Sequence, residues 1–324
     1  MINGGKRSPV SVMGQATVRA IIGDVGRYAL HDGPGIRTTV FFKGCAMHCP
    51  WCHNPEFIRP QPEILFYAAR CMGCGDCVAV CPEGAVDLGR PERIDRRRCT
   101  VCGQCAQICP TRALKVAGKA YDVAELTAIL LRDRPFYAAS GGGVTLSGGE
   151  PTLQMAFMGR LLRRLKREGL HTLLETNGGF AMDDFLEQCL TNLDLIYYDL
   201  KISDAVRHRR ILGVDNQRIW SNLEILARRA PEKVVPRIPL IPGYTATREN
   251  LYAIAGRLRD RGLGQPVLLP YHPFGLSKAA HVGRPMDATL PKTPMSAEEL
   301  EKWAPFIEHG YRSGRIGKEV NHAD

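Results

Sequence analysis

The sequence predicts an α/β fold: a partial (β/α)6 TIM-like barrel, interrupted after its first strand by a small cysteine-rich insert. Two observations carry this expectation. Strand-like and helix-like hydrophobic patterns alternate after about residue 117, and eleven of the twelve cysteines fall between Cys45 and Cys109. Ile36–Lys43 (IRTTVFFK) is β-branched and aromatic, the pattern of a buried strand that delivers Cys45 to its C-terminal end. Further strands are expected at Gly143–Ser147, Thr172–Thr176, Leu195–Leu200, Val234–Ile241 and Pro266–Pro270. Between and around them, Val123–Arg132, Leu153–Glu168, Asp183–Leu193, Asn216–Arg229 and Thr247–Arg261 carry apolar residues at three- and four-residue steps, as amphipathic helices do. Such alternation implies parallel strands joined by short loops, with functional groups where the strands end. The chain then divides into 1–57 as the first part of the barrel, 58–116 as the insert, 117–290 as the remaining barrel and 291–324 as a tail without a motif.

Composition narrows the function classes. The 324 residues are 44% hydrophobic and 23% charged, which excludes wholesale disorder. No run approaches the roughly 18 apolar residues of a membrane span. The N-terminal stretch has Lys6 and Arg7 but no apolar core behind them, so a cytoplasmic protein without a membrane partner is expected. The formal charge of +10 would by itself suit an acidic partner, nucleic acid included.

The cysteines fall into three groups. Cys71, Cys74, Cys77 and Cys81, followed by Pro82, repeat as Cys99, Cys102, Cys105 and Cys109, followed by Pro110. Each run reads CxxCxxCxxxCP, the bacterial ferredoxin spacing in which the fourth thiolate serves the other cluster. One four-iron four-sulfur cluster would use Cys71, Cys74, Cys77 and Cys109, and the second Cys99, Cys102, Cys105 and Cys81. A pair of zinc sites is the alternative that CxxC pairs always leave open. The remaining group, Cys45, Cys49 and Cys52, supplies only three thiolates. It fits either a reactive cluster with one open iron or a zinc site completed by His48 or His53. Cys189 stands apart on an amphipathic helix and reads as core.

Polar motifs recur where the strands end: Ser147-Gly148-Gly149-Glu150-Pro151, Glu175-Thr176-Asn177-Gly178-Gly179, Tyr198-Asp199-Leu200-Lys201, Arg237-Ile238-Pro239 and Tyr271-His272. Two glycines let a ligand approach the backbone, and Glu150 can bind an ammonium group. A dinucleotide fingerprint and a Walker loop are both missing.

Taken together these residues resemble the radical S-adenosylmethionine superfamily, through CxxxCxxC with Trp51 before its last cysteine and a GGE strand end. Asp32-Gly33-Pro34-Gly35-Ile36-Arg37 leading into the cysteine run, then SGGEP, ETNG, YDLK, RIPLIPG and LLPYHPFG, is similar to the glycyl-radical-enzyme activating enzymes over residues 20 to 285. The chain looks like their longer branch, which carries the ferredoxin insert that the short pyruvate formate-lyase prototype lacks. The resemblance implies that Cys45, Cys49 and Cys52 hold the cluster that chelates S-adenosylmethionine. It implies that Trp51 and His53 contact the adenosyl portion, and that Gly148, Gly149 and Glu150 hold the methionine ammonium beside Glu175 and Thr176. It further implies that Asp199 and Lys201 organise the methionine carboxylate and an associated monovalent cation. Ser203 and Asp204 would continue that loop, and Arg237 and His272 would close the pocket. Glu175 departs from the prototype's Asp, which bears on the cation site.

The implied reaction is reductive cleavage of S-adenosylmethionine to methionine and a 5′-deoxyadenosyl radical. That radical takes hydrogen from a backbone glycine of a glycyl-radical enzyme, with reduced flavodoxin or ferredoxin as electron donor. A radical enzyme acting on a small molecule shares CxxxCxxC and GGE, whereas DGPGIR and YDLK argue for a protein target. A plain ferredoxin would leave the strand-end motifs without purpose. Three oxidised clusters on eleven thiolates would lower the formal +10 to roughly +5, which weakens the case for nucleic acid.

Overall fold

The computed structural model describes residues 18–285 and 287–313; the N-terminal stretch with Lys6 and Arg7 and the end of the tail lie outside the described residues. β1 (Arg19–Ala29) and β2 (Arg37–Phe42) pair antiparallel, with Val25 opposite Val40. β3 (Glu63–Phe66) and β4 (Leu114–Ala117) form a separate antiparallel ribbon, and between them lie the short helices α1 (Asp76–Ala79) and α2 (Gln104–Ile108). β5 (Lys119–Asp122) then pairs antiparallel with β1.

From there helices and strands alternate. α3 (Val123–Leu130) and α4 (Arg134–Ser140) precede β6 (Gly143–Gly148); α5 (Met155–Arg167) leads to β7 (His171–Thr176); α6 (Met182–Gln188) leads to β8 (Leu195–Asp199). α7 (Ala205–Leu212) and α8 (Gln217–Arg229) precede β9 (Val234–Leu240), and α9 (Arg248–Arg259) precedes β10 (Val267–Pro270). α10 (Phe274–His281), α11 (Ala297–Glu301) and α12 (Ala304–Ser313) follow. The main sheet runs β10-β9-β8-β7-β6-β2-β1-β5, and every pair from β2 to β10 is parallel. Six parallel strands in sequence order with helices between them make the expected six units, with β10 and β5 as open edges.

Period-2 alternation divides the strand residues between two faces. Val144, Leu146, Leu174, Ile196, Tyr198, Ile238 and Leu240 join the helix-packed core, while Ser147, Glu175, Asp199 and Arg237 line a cavity on the other face. α5 shows why the helices pack as they do. Phe157, Met158, Leu161, Leu162 and Leu165 are buried, each contributing about 1.5–3 kcal/mol over exposure, while Arg160, Arg163, Arg164 and Arg167 face solvent. It starts a turn later than its apolar pattern, because Pro151–Gln154 is a 3-10 turn capped by the Glu150 carboxylate. α6 stops at Gln188, since Cys189 leaves helical geometry to enter the core. The tail is partly structured: Ile307 of α12 is buried, Phe306 meets Tyr252 of α9 edge-on at 5.6 Å, and Tyr311 donates to the Gly264 carbonyl at 2.5 Å.

The cysteine-rich segment has its own small core of Ile64, Phe66, Val86, Ile94, Ala113 and Leu114, with cysteines packed around it. It meets the barrel through polar and apolar contacts. Lys43 pairs with Glu63 at 2.9 Å; Arg96 donates to the carbonyls of Ile64 and His281; Val282 packs with Leu65 and Ala117. No helix among the described residues is long and apolar enough to cross a membrane.

Candidate active site

β2 ends at Phe42, and the chain turns into the loop that carries Cys45, Cys49 and Cys52. Both ends of that loop are tied together: Gly44 N donates to Phe57 O at 2.8 Å and Cys45 N to Ile58 O at 2.9 Å. The end of β6 fixes it from the side, since Glu150 N donates to Gly44 O at 2.6 Å. Backbone lies on backbone here. Gly148 adopts φ +109° against Phe42, a conformation that side chains resist, and a methyl on Gly149 would strike the Gly44 and Phe57 carbonyls.

The three thiols open onto a cavity of about 240 Å³ that also touches Trp51, His53, Gly148, Gly149, Glu175, Thr176, Asp199, Lys201 and Arg237. Among the described residues no three His, Cys, Asp or Glu side chains are drawn together tightly enough to grip one metal ion. Burial pushes all three thiols up, Cys52 to about 11, with the Lys201 ammonium opposing the rise. Three thiols on one short loop beside a lysine are the donor set of an iron–sulfur or zinc centre, which would hold them as thiolates. Asn177 reaches toward Cys45 with Nδ2 3.9 Å from its sulfur, and Met47 N donates to the same sulfur at 3.4 Å.

The opposite wall is a charge network. Arg237 donates to Glu175 Oε1 at 2.7 Å and to Asp199 Oδ1 at 2.9 Å, and its guanidinium stacks over Tyr197. Lys201 Nζ lies 3.6 Å from Asp199 Oδ2. Ser147 donates to Glu175 Oε2 at 2.6 Å. Burial raises Asp199, but Arg237 and Lys201 outweigh it and hold the carboxyl below its usual range; for Glu175 burial wins over Arg237 and the shift is upward. Lys201 is held above its usual value, because Asp199 and the thiols outweigh its burial.

Other expected site residues sit around the cavity and not on it. Glu150 lies behind the wall with its oxygens taken by the hydroxyls of Thr152 and Thr176 and the amides of Thr152 and Asn177. Burial raises its carboxyl. Ser203 N donates to Asn250 Oδ1, and Asp204 caps α7 through Arg207 N. His272 holds His53 Nε2 at 3.0 Å through its carbonyl. Trp51, by contrast, lines the cavity while largely buried, its ring centroid 5.0 Å from that of Tyr244. Ser147 and Asn177 also contribute, although the strand-end motifs assign them no role; for Ser147 the signal is a polar residue two positions after Thr145 on β6, hence on the same face.

A second cleft reaches Cys45, Cys49 and Cys52 from the far side, beside His48, Arg59 and Arg284. In the insert, Cys71, Cys74, Cys77 and Cys109 border one small cavity, and Cys81, Cys99, Cys102 and Cys105 another. Ala113 N and Ala85 N donate to the Cys109 and Cys81 sulfurs at 3.2 Å.

Thiols just beyond a strand end, facing a basic and acidic cavity at the mouth of a parallel partial barrel, are the arrangement that the resemblance to radical S-adenosylmethionine enzymes implies. Residues 31–220 match the family described as 4Fe-4S single cluster domain. The indoleacetate decarboxylase activating enzyme of Tractidigestivibacter scatoligenes is 37% identical, over 91% of this chain and 96% of that protein. The isethionate sulfite-lyase activating enzyme of Oleidesulfovibrio alaskensis is 42% identical over 81% and 86%, and the benzylsuccinate synthase activating enzyme of Thauera aromatica 41% over 82% and 82%. The chain belongs to the glycyl-radical-enzyme activating enzymes.

Proposed function

We propose that this chain activates a partner glycyl-radical enzyme by reductive cleavage of S-adenosylmethionine at the Cys45, Cys49 and Cys52 triplet. The observation that carries the reading is the convergence of those thiols on one cavity with Glu175, Asp199, Lys201 and Arg237. Cys45, Cys49 and Cys52 would hold a four-iron four-sulfur cluster, which when bound would supply the one electron that splits S-adenosylmethionine into methionine and the 5′-deoxyadenosyl radical that takes hydrogen from a backbone glycine of the partner. The residues of the chain bind, orient and exclude water.

Lys201 meets the methionine carboxylate, and Asp199 keeps the ammonium charged and in place. Gly148 and Gly149 give the methionine amine close access to backbone, while Glu150 acts through Thr176 and Asn177, whose positions it fixes. Trp51 and His53 border the adenosyl side, with His272 anchoring His53. Ser203 and Asp204 secure the loop after Lys201. Arg237 is a cation shared by Glu175 and Asp199, and a monovalent cation associated with the methionine carboxylate would lie beside this group.

The insert, residues 58–116, would hold two further clusters, for three in all. Support comes from the two cavities, each bordered by four cysteines in the crossed grouping that the ferredoxin spacing expects. Bound there, these clusters would supply a path for electrons from reduced flavodoxin or ferredoxin, or would only shape the surface that meets the partner. Arg59 and Arg284 at the second cleft suit an acidic donor. Twelve unpaired cysteines accord with a reducing cytoplasm. The relatives' names differ in the enzyme activated, so they support the class of partner. Cys49→Ala should abolish 5′-deoxyadenosine formation from S-adenosylmethionine under strong reductant; cleavage surviving in that variant would refute the site.

A further inference from the structure

One helix touches both the active-site loop and the insert. The first turn of α10 lies directly on the third cysteine: a methyl on Gly275 would overlap the Cys52 carbonyl oxygen and sit 2.9 Å from its carbon and 3.3 Å from His53 Cα. One turn on, Lys278 Nζ donates to Asn54 Oδ1 at 2.8 Å and to Glu56 Oε1 at 2.7 Å, both just beyond Cys52 in the chain. At its far end the His281 carbonyl accepts from Arg96 at 3.2 Å, and the His281 ring meets Tyr67 at 4.3 Å. Neither Gly275 nor Lys278 borders the active-site cavity.

We propose that α10 is a strut positioning Cys52. Gly275 sets how deeply the Cys52 backbone sits, Lys278 fixes the chain just after it, and the insert sets the helix by gripping its other end. The insert thereby acts on the active-site triplet mechanically, apart from any electron relay. The helix backbone lies on Cys52, whose N–H donates to the Cys49 carbonyl at 3.1 Å, whereas Cys45 N donates to Ile58 O at 2.9 Å, so a displaced helix would move the Cys49–Cys52 end of the loop against Cys45. The inference rests on reading Cys45, Cys49 and Cys52 as ligands of the reactive cluster.

The test uses full-length protein reconstituted anaerobically with iron and sulfide, in Gly275→Ala, Lys278→Met and Lys278→Arg forms. Electron paramagnetic resonance of the reduced protein is recorded with and without S-adenosylmethionine, beside 5′-deoxyadenosine formation. Gly275→Ala and Lys278→Met should lose or shift the S-adenosylmethionine-dependent signal while the insert signals persist. Cleavage should fall roughly 10- to 100-fold, the scale of an ångström-sized misplacement. Lys278→Arg, which keeps the charge and the reach, should restore the unsubstituted spectrum. A normal spectrum in Gly275→Ala overturns the proposal, and so do Lys278→Met and Lys278→Arg that behave alike, which also decides the matter if Gly275→Ala fails to fold. Unsubstituted protein with no S-adenosylmethionine-dependent signal would instead refute the reading of the site.

Discussion

Replacing Lys43 with Met would strip a buried carboxylate of its cation. Lys43 Nζ is fully enclosed, 2.9 Å from Glu63 Oε2, and donates to the Glu56 carbonyl at 2.7 Å. The other partner of Glu63, Arg59, lies 3.4 Å away with over half its side chain exposed, so solvent screens it. Breaking a buried pair by removing one member costs about 3–5 kcal/mol, because the remaining charge stays in a low dielectric. The Arg59 contact puts the expectation at the lower end, about 3 kcal/mol. At about 2 °C per kcal/mol for a chain of this size, Tm should fall by roughly 6 °C. Anaerobic differential scanning fluorimetry at one protein concentration reads this directly. The double variant Lys43→Met/Glu63→Leu leaves no charge buried and should recover at least about 1.5 kcal/mol. Additive losses, with a coupling below about 0.5 kcal/mol, would refute the reasoning.

Cys81→Ala should remove the cluster signal shared with Cys99, Cys102 and Cys105 and spare the one at Cys71, Cys74 and Cys77; Mössbauer spectra of the two losses, interchanged, would contradict the crossed grouping. Asp133 accepts from Arg27 and, at 2.6 Å, from Thr38, and the Arg27 guanidinium chiefly holds its carboxyl below the usual range. A lowered folded value means stability that is present above the unfolded pKa of about 3.9 and lost as pH falls through the folded one. Asp133→Asn should therefore cost about 1.5–3 kcal/mol at pH 7 and much less at pH 3, read as urea midpoints; a pH-independent difference would be the contrary result.

The parallel strands were legible because five of the six are largely buried on both faces and so read as continuous β-branched or apolar runs, and the edge strand β10, though half-exposed, keeps an apolar VLLP run. β1 was not. Arg19–Ala29 mixes two glycines with Asp24 and Arg27 because only part of it is covered, and its pairing shifts register twice. α7 escaped for a related reason: its AVRHRRIL segment buries only His208 and Leu212, too few to set a period, although Asp204 ahead of it is a readable cap. At the site, spacing announced the cysteines and the strand-end carboxylates. Spacing does not tell a residue on a cavity from one behind it. Glu150 and Asp199 look alike as strand-end acids, yet four donors occupy Glu150 and two cations hold Asp199. The contact of Arg96 with His281 spans 185 positions and leaves no local trace.

The β3–β4 ribbon has a consequence for how such a chain tolerates change. Glu63 lies opposite Ala117, so the segment between them departs and returns through a single doorway. To the β2–β6 pair, everything from 64 to 116 enters and leaves as a hairpin turn would, its other contacts being with the end of α10 and with β1. The entropic toll of a longer excursion grows only with the logarithm of its length, about 0.6 kcal/mol per doubling. A doorway of this kind lets the excursion lengthen, shorten or be exchanged for another while β2 and β6 keep their register beneath it.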